Sequence, residues 1–370
     1  LKNNRLNHQV ALTLMEGIGV KNAKVLLAYL GSVENIFDAT INLRTEIPGF
    51  AKERFRELNR DIALEKAVSI VDFVHKNGID TTFFTDQHYP RRLKECGDSP
   101  VLMYHRGNFD FNPRKSIAIV GTRNMTSYGK QLINELLATI APYNVQVVSG
   151  LAYGVDGYAH TKCLELGIPT IGVLGHGLDR IYPVQHKKLA KKMVETEGCG
   201  VLTEFPQNTK PDRENFPQRN RIVAGMTDAT IVVESGERGG SLITALLAND
   251  YNRDVYAFPG NVERPFSMGC NHLIASDKAH LITSGKDLVR LMEWEKESNE
   301  KSVQTNLFEG LEGDEKTIVT TIKEFEKISL DVLSVRLKKP VHLLSSLLLG
   351  LELKGIVMTL PGKKYALSRL

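Results

Sequence analysis

The 370-residue chain has four cysteines, Cys96, Cys163, Cys199 and Cys270, and no two of them stand at CxxC spacing. That scatter predicts neither a disulfide framework nor a zinc cluster, and it fits a reducing compartment. No apolar run approaches the roughly 20 residues a bilayer helix needs, and the opening residues Leu1 to Gln9 are polar rather than signal-like. The expectation is a cytoplasmic protein with no membrane contact. A large excess of either charge is also missing. Lys+Arg 47 against Asp+Glu 43 leaves a net charge of +4, too small by itself to imply a nucleic-acid partner, so local clusters must carry that argument. What the chain does have, 42% hydrophobic and 24% charged residues, is the mix of folded domains rather than of disorder.

The length predicts one central domain with smaller flanking modules. Residues 1–66 read as a small helical domain of helix-hairpin-helix or SAM-like type. It carries two glycine signals, Gly17-Ile18-Gly19 before Val20 to Leu30, and Ile47-Pro48-Gly49-Phe50 before Ala51 to Leu58. Such turns can present backbone amides to a DNA phosphate, or can simply join helices of a packed bundle. Residues 67–294 read as the central domain. It opens with a mixed segment to Asn108 containing a helix and a short strand at Thr82 to Thr85. From Ser116 apolar strand, glycine turn and amphipathic helix then repeat, as a doubly wound, mostly parallel sheet requires. The predicted strands are Ile117 to Val120, Val145 to Val148, Thr170 to Leu174, Val201 to Thr203, Thr230 to Glu234 and Val255 to Phe258, with Leu281-Ile282 at the edge. Residues 295–313 have the polar composition of a linker, and 314–370 follow a helix-helix-helix-hairpin order that predicts a winged helix. Its third helix, Val341 to Leu353, is nearly all apolar, which favours contact with protein over base reading.

Right-handed crossovers bring the loops after parallel strands to one edge of the sheet, so function is sought there. The first turn, Gly121-Thr122-Arg123, lacks the GxGxxG of a dinucleotide site and offers a guanidinium instead, with Ser127 at the helix that follows. The second turn holds Gly150, Ala152, Gly154 and Gly157 at a helix start, where free amides attract anions. Asp156 and His160, four apart, read either as an acid–base pair or as buried structural groups. Lys187, Lys188, Lys191 and Lys192 form a stripe that either steers DNA or is a solvated face. Arg213, Phe216, Arg219, Asn220 and Arg221 join cations to a ring, the combination that suits an unpaired strand; the competing reading pairs the arginines with Glu204 and Glu214. Gly236, Gly239, Gly240, Ser241 and Thr244 lead into another helix N-terminus.

The ordered set Gly121-Thr122-Arg123, Ser149 to Asp156 with Ala159-His160, Tyr182-Pro183, Phe216-Pro217 to Arg221, Ser241 to Ala245, Pro259-Gly260 and Gly269-Cys270-Asn271 resembles the bacterial DNA-processing protein A family, DprA, also called Smf. The resemblance implies an extended Rossmann-like fold that binds single-stranded DNA without cutting it, forms homodimers, and assists RecA loading in natural transformation. Carried over residue by residue, its DNA pocket falls on Arg123, the Gly150 to Gly154 turn, Lys187, Phe216 with Arg219 and Arg221, and the Gly240 to Thr244 turn. No catalytic residue, cofactor or metal ligand is expected. Two positions depart from the family: Thr203 stands where serine is usual, and Gly239 replaces a serine.

Two other functions compete. A nucleotide hydrolase of the lysine-decarboxylase-like phosphoribohydrolase type would need PGGxGTxxE, whereas Glu237-Arg238 precedes the glycines and Ala245-Leu246-Leu247 follows Thr244 here. A scaffold would use its end modules for protein partners and leave a small anion in the central pocket. For the dimer, the apolar residues of Leu273 to Met292 are the candidate surface.

Overall fold

The computed structural model describes residues 2–38, 59–294, 313–325, 328–360 and 364–367. They form two compact units, Leu1–Leu288 and Val289–Leu370.

The first unit is built on one sheet of β1 (Asp80–Phe83), β2 (Leu102–Gly107), β3 (Lys115–Val120), β4 (Val145–Ser149), β5 (Thr170–Val173), β6 (Gly200–Thr203), β7 (Ala229–Val232), β8 (Asp254–Ala257) and β9 (His280–Leu281), in the order β1-β2-β6-β5-β4-β3-β7-β8-β9. Every pair from β6 across to β9 is parallel, while β1 and β2 run antiparallel at one edge. β4, β5 and β7 are buried along their whole length, which is why these strands read as apolar runs without alternation. The chain leaves β3 toward β4, β5 and β6 on one side and returns to β7 on the other. The two sides of β3 therefore meet at a topological switch point, where successive loops part and leave a crevice. This is the Rossmann-like fold expected from the sequence.

One strand was not anticipated. Leu102–Gly107 pairs with both β1 and β6, although the segment to Asn108 was expected to hold a single strand at Thr82 to Thr85. Leu102, Met103 and Tyr104 are all buried and only the last three residues of the strand reach solvent, so the alternation that marks a strand is missing.

The N-terminal helices Lys2–Leu14, Val20–Leu30 and Val33–Ile36 share a core with the central sheet: Leu12, Leu26 and Ile36 pack in one cluster with Val71 and Val74 of helix Arg60–Lys76 and with Phe83 and Leu102. That helix runs through position 66, between the two domains read from the sequence. Lys24 ties the modules further, donating to Ser99 Oγ at 2.6 Å with its ammonium 4.6 Å from the Phe84 ring centre. The glycine signal at 47–58 lies outside the described residues. The one at Gly17–Gly19 is a turn with Gly17 at φ +78° and with Ile18 buried.

In the second unit, helix Gly313–Phe325 is followed by β10 (Ile328–Ser329), helices Leu330–Leu337 and Val341–Leu353, β11 (Val357–Leu360) and β12 (Lys364–Leu367), the three strands forming a sheet ordered β10-β12-β11. Ile318, Ile322, Leu333, Leu344, Leu348 and Leu351 fill its core. This is a winged helix. Residues 295–312 of the expected linker and the turn at 361–363 lie outside the described residues, and Gly313 already begins a helix. Among the described residues no helix is long and apolar enough to cross a membrane.

Candidate nucleic-acid interface

The turn after β3 is pinned from two sides. Thr122 N donates to Glu234 O at 2.7 Å, and Thr122 O accepts from Val155 N at 3.2 Å, so the turn spans the end of β7 and the start of helix Val155–Leu166. The Glu234 carboxylate accepts from Thr126 N at 2.9 Å and Thr126 Oγ1 at 2.6 Å and closes the loop from its far end. Arg123 lies between these anchors with its side chain exposed. Gly154 sits at φ +74°, and a Cβ there would collide with Thr122 O, so both its conformation and its neighbour demand glycine.

The turn after β4 is organised by a buried carboxylate. Asp156 accepts from Gly150 N at 3.2 Å and Ala152 N at 3.4 Å. Burial pushes its pKa up, and the neighbouring Arg219 works against that shift. Arg219 is 5% exposed and donates from Nη1 to Val173 O at 2.6 Å and to Gly150 O, and from Nε to Asn220 Oδ1 at 2.9 Å. Burial pulls its pKa down to about 10, so it remains a cation at neutral pH. His160 does not pair with Asp156. Its Nδ1 lies 2.7 Å from Thr170 Oγ1, and burial, reinforced by His186 and Arg219, lowers its pKa to about 3. Each of the two groups is thus a buried structural element with its own partners, not half of an acid–base pair.

These turns enclose a basin of about 290 Å³ at the switch point. Gly121 and Arg123 come from the first turn, Gly150 and Ala152 from the second, and Phe216, Arg219 and Asn220 from helix Asn215–Gly225. Gly240 and Ser241 open helix Gly240–Asp250, where main-chain amides have no intrahelical acceptor, and Thr244 lines the basin one turn further in. The hydroxyls of that turn are used internally: Ser241 Oγ donates to Ser235 Oγ at 2.8 Å and Thr244 Oγ1 to Gly240 O at 3.4 Å. The guanidinium carbons of Arg123 and Arg219 lie 5.3 and 5.9 Å from the centre of the Phe216 ring, within cation–π range. A narrow groove continues from Arg123 and Phe216 past Tyr153 and Tyr182, with the Tyr182 and Phe216 ring centres 6.1 Å apart.

Five expected site residues fall off the basin wall. Arg221 is held by Glu204 in an ion pair whose side chains are 11% and 12% exposed, and it also donates to Asp98 O; here the paired reading wins. Gly154 shapes the Arg123 turn without lining the basin. Ser127 and Arg213 are exposed elsewhere, and Lys187 lines a separate cavity. Tyr153 and Tyr182 are two further rings that the sequence reading does not single out as site residues; the available signals are Tyr153's place beside Gly154 and Tyr182's beside Pro183. The two departures have simple consequences. Thr203 Oγ1 donates to Leu174 O at 3.0 Å and accepts from Phe205 N at 3.1 Å, so the hydroxyl is kept and used. At Gly239 a Cβ would stand 2.5 Å from Ser235 Oγ, which leaves little room for a side chain in this packing.

A family model described as DNA recombination-mediator protein A matches residues 80–293, and one described as DprA winged helix domain matches 307–363. The chain belongs to the DNA recombination-mediator protein A family. Its relatives include Protein Smf of a Synechocystis species, 32% identical over 298 residues that cover 79% of this chain and 74% of that one. They also include the DNA processing protein DprA of Streptococcus pneumoniae, 39% identical over 209 residues, 56% of this chain and 73% of that one. The X-ray structure of the pneumococcal protein aligns at a TM-score of 0.63 with 32% identity, covering 77% of this chain and 97% of that one. A structure of Helicobacter pylori DNA processing protein A, described for its single-stranded DNA binding mode, aligns at 0.52 with 27% identity, covering 58% and 95%. The basin therefore lies wholly within the segment that defines this recombination-mediator family.

Proposed function

We propose that the chain binds single-stranded DNA in the switch-point basin, without cutting it, and passes the strand to the RecA recombinase in natural transformation or homologous recombination. The observation that carries this reading is the meeting of Arg123, Phe216 and the first turn of helix Gly240–Asp250 in one basin. A guanidinium and free amides bind phosphate in any sequence, and a partly exposed ring accepts a base that a duplex would hide. The single-strand binding of the Helicobacter pylori relative and the family's description as a recombination mediator support it.

Two carboxylates at the switch point are engaged in holding its turns. Asp156 is engaged by backbone amides beside Arg219, and Glu234 is engaged by Thr126. We read the protein as a non-enzymatic, cytoplasmic homodimer. Of the expected dimer segment, Leu273, Ile282 and Leu288 are buried while Leu281 and Leu291 are 49% and 44% exposed, and the face of helix Gly240–Asp250 that carries Ile243 and Leu246, 43% and 46% exposed, is a second candidate surface. The winged helix, with Leu349 and Leu353 exposed on its third helix, meets protein rather than bases.

The test is competition for a labelled deoxythymidine oligonucleotide. Unlabelled single strands should displace it far better than duplex of equal length, and affinity should fall steeply with salt. Equal displacement by duplex, or release of free base from nucleoside monophosphates, would sink the proposal.

A further inference from the structure

A second cavity, about 610 Å³, lies beside helix Lys187–Glu195 and belongs to none of the glycine turns. Its floor is apolar, from Leu178, Ile181, Val194 and Val201, and its rim carries Arg106, Arg180, Lys187 and Lys191 against only Asp179 and Glu195. Arg180 is paired with Asp179 at 2.6 Å, and Lys191 is loosely paired with Glu195 at 3.7 Å. The Arg106 and Lys187 side chains have no ion-pair partner among the described residues and are exposed. Two free cations therefore border an apolar hollow large enough for a small organic group, the usual size of such sites being about 300–1,000 Å³.

The cavity is placed in line with the basin. From Arg123 and Phe216 the narrow groove reaches Tyr182 and Pro183; Ile181 and Val184, the residues on either side, line the cavity. Tyr182 is 40% exposed and Val184 70%, so the ridge between groove and cavity is an apolar, accessible surface. A folded protein segment would find charge complementarity here too, but continuity with the groove favours a polymer that already occupies the basin.

We propose that this cavity is a second nucleotide subsite, in which a strand bound at the basin crosses the Tyr182–Val184 ridge, sets a base or sugar on the apolar floor and pairs a phosphate with Arg106. The inference rests on the proposed single-strand binding at the basin and extends its footprint. It makes affinity depend on strand length in a way that a basin alone would not.

The test compares the full chain binding a deoxythymidine oligomer of about 4 nucleotides with one of about 16, the range of site sizes for single-strand grooves. Arg106→Ala should leave the short strand's affinity unchanged and weaken the long strand about tenfold, the size of one charge-assisted contact. Arg106 is exposed, so its loss does not threaten the fold. Val184→Cys gives an independent reading. The native cysteines are all buried, so a photo-activated cross-linker attached at position 184 is selective, and it should capture the long strand but not the short one. Unchanged binding of both lengths in Arg106→Ala, or no capture of the long strand, would overturn the inference and leave the cavity to an acidic protein segment. Arg123→Ala separates the two claims. If it weakens both lengths while Arg106→Ala weakens neither, the basin stands and the second subsite falls; if it weakens neither, the basin itself falls.

Discussion

Arg219 donates to the carbonyl oxygen of Gly150, tying helix Asn215–Gly225 to the glycine turn after β4. A Cβ on Gly150 would overlap this guanidinium, so the glycine is there to admit the arginine as well as to shape the turn. Arg219 is thus part of the frame of the basin before it is part of any ligand contact. Arg219→Ala should lower folding stability by about 3–5 kcal/mol, because it strands the buried Asp156 and two carbonyls without their cation. Urea unfolding checks this: a variant with unchanged midpoint and slope would show that Arg219 serves only the ligand.

Arg123 is the opposite case. It is exposed, and its turn is held by the main chain of Thr122 and by Glu234 rather than by its own guanidinium. Arg123→Ala should leave the unfolding midpoint in place and cost about 1–3 kcal/mol of single-strand affinity, uniformly across sequences, since a phosphate contact carries no base information. Anisotropy titrations with several homopolymers would detect it. A loss confined to one base would mean that Arg123 reads an edge and not a phosphate.

The contrast between these two arginines shows what the sequence could and could not say. Strands β3 to β8 were legible because parallel strands buried on both faces are compact apolar runs, all but β6 leading into a glycine turn. The convergence of those turns followed from crossover handedness. Which arginine of the Arg219–Asn220–Arg221 triplet faces the basin was not legible, because helix phase decides it: Arg219 turns in toward Gly150, and Arg221, two positions on, turns toward Glu204 and Asp98. β2 was missed because its buried apolar end does not alternate, and Lys187 was assigned to the basin because its loop follows β5 while its helix carries it to the next cavity.

Helix Gly240–Asp250 offers a way to block the basin without unfolding the protein. A Cβ at Gly240 would meet nothing within 4 Å, and an acidic side chain in the first helical turn interacts favourably with the helix dipole. Gly240→Asp should therefore fold at least as stably as the parent, within about 0.5 kcal/mol. The same carboxylate stands on the basin wall, where it would repel phosphate, so single-strand affinity should drop about tenfold or more. Thermal unfolding and a binding titration on one preparation test both halves; retained affinity would place the strand away from this helix.

Acid should weaken the fold through its buried histidines. Burial lowers the pKa of His160 to about 3 and that of His105 to about 4, against 6.5 for an exposed histidine. Between those values the unfolded chain binds protons that the folded chain refuses, so stability falls as pH drops from about 6.5 and the contribution of His160 is fully lost only near pH 3. Asp156 and Glu204 have pKa values raised by burial and act in the other direction, taking up protons more readily folded than unfolded as the pH falls toward them. The His160 contribution is therefore read by difference. In His160→Gln, which can still reach Thr170 Oγ1 with an amide, the slope of stability against pH between about 4.5 and 6 should be shallower than the parent's by roughly 1.4 kcal/mol per pH unit at most. Parallel slopes in urea unfolding would mean that His160 takes up its proton in the folded chain.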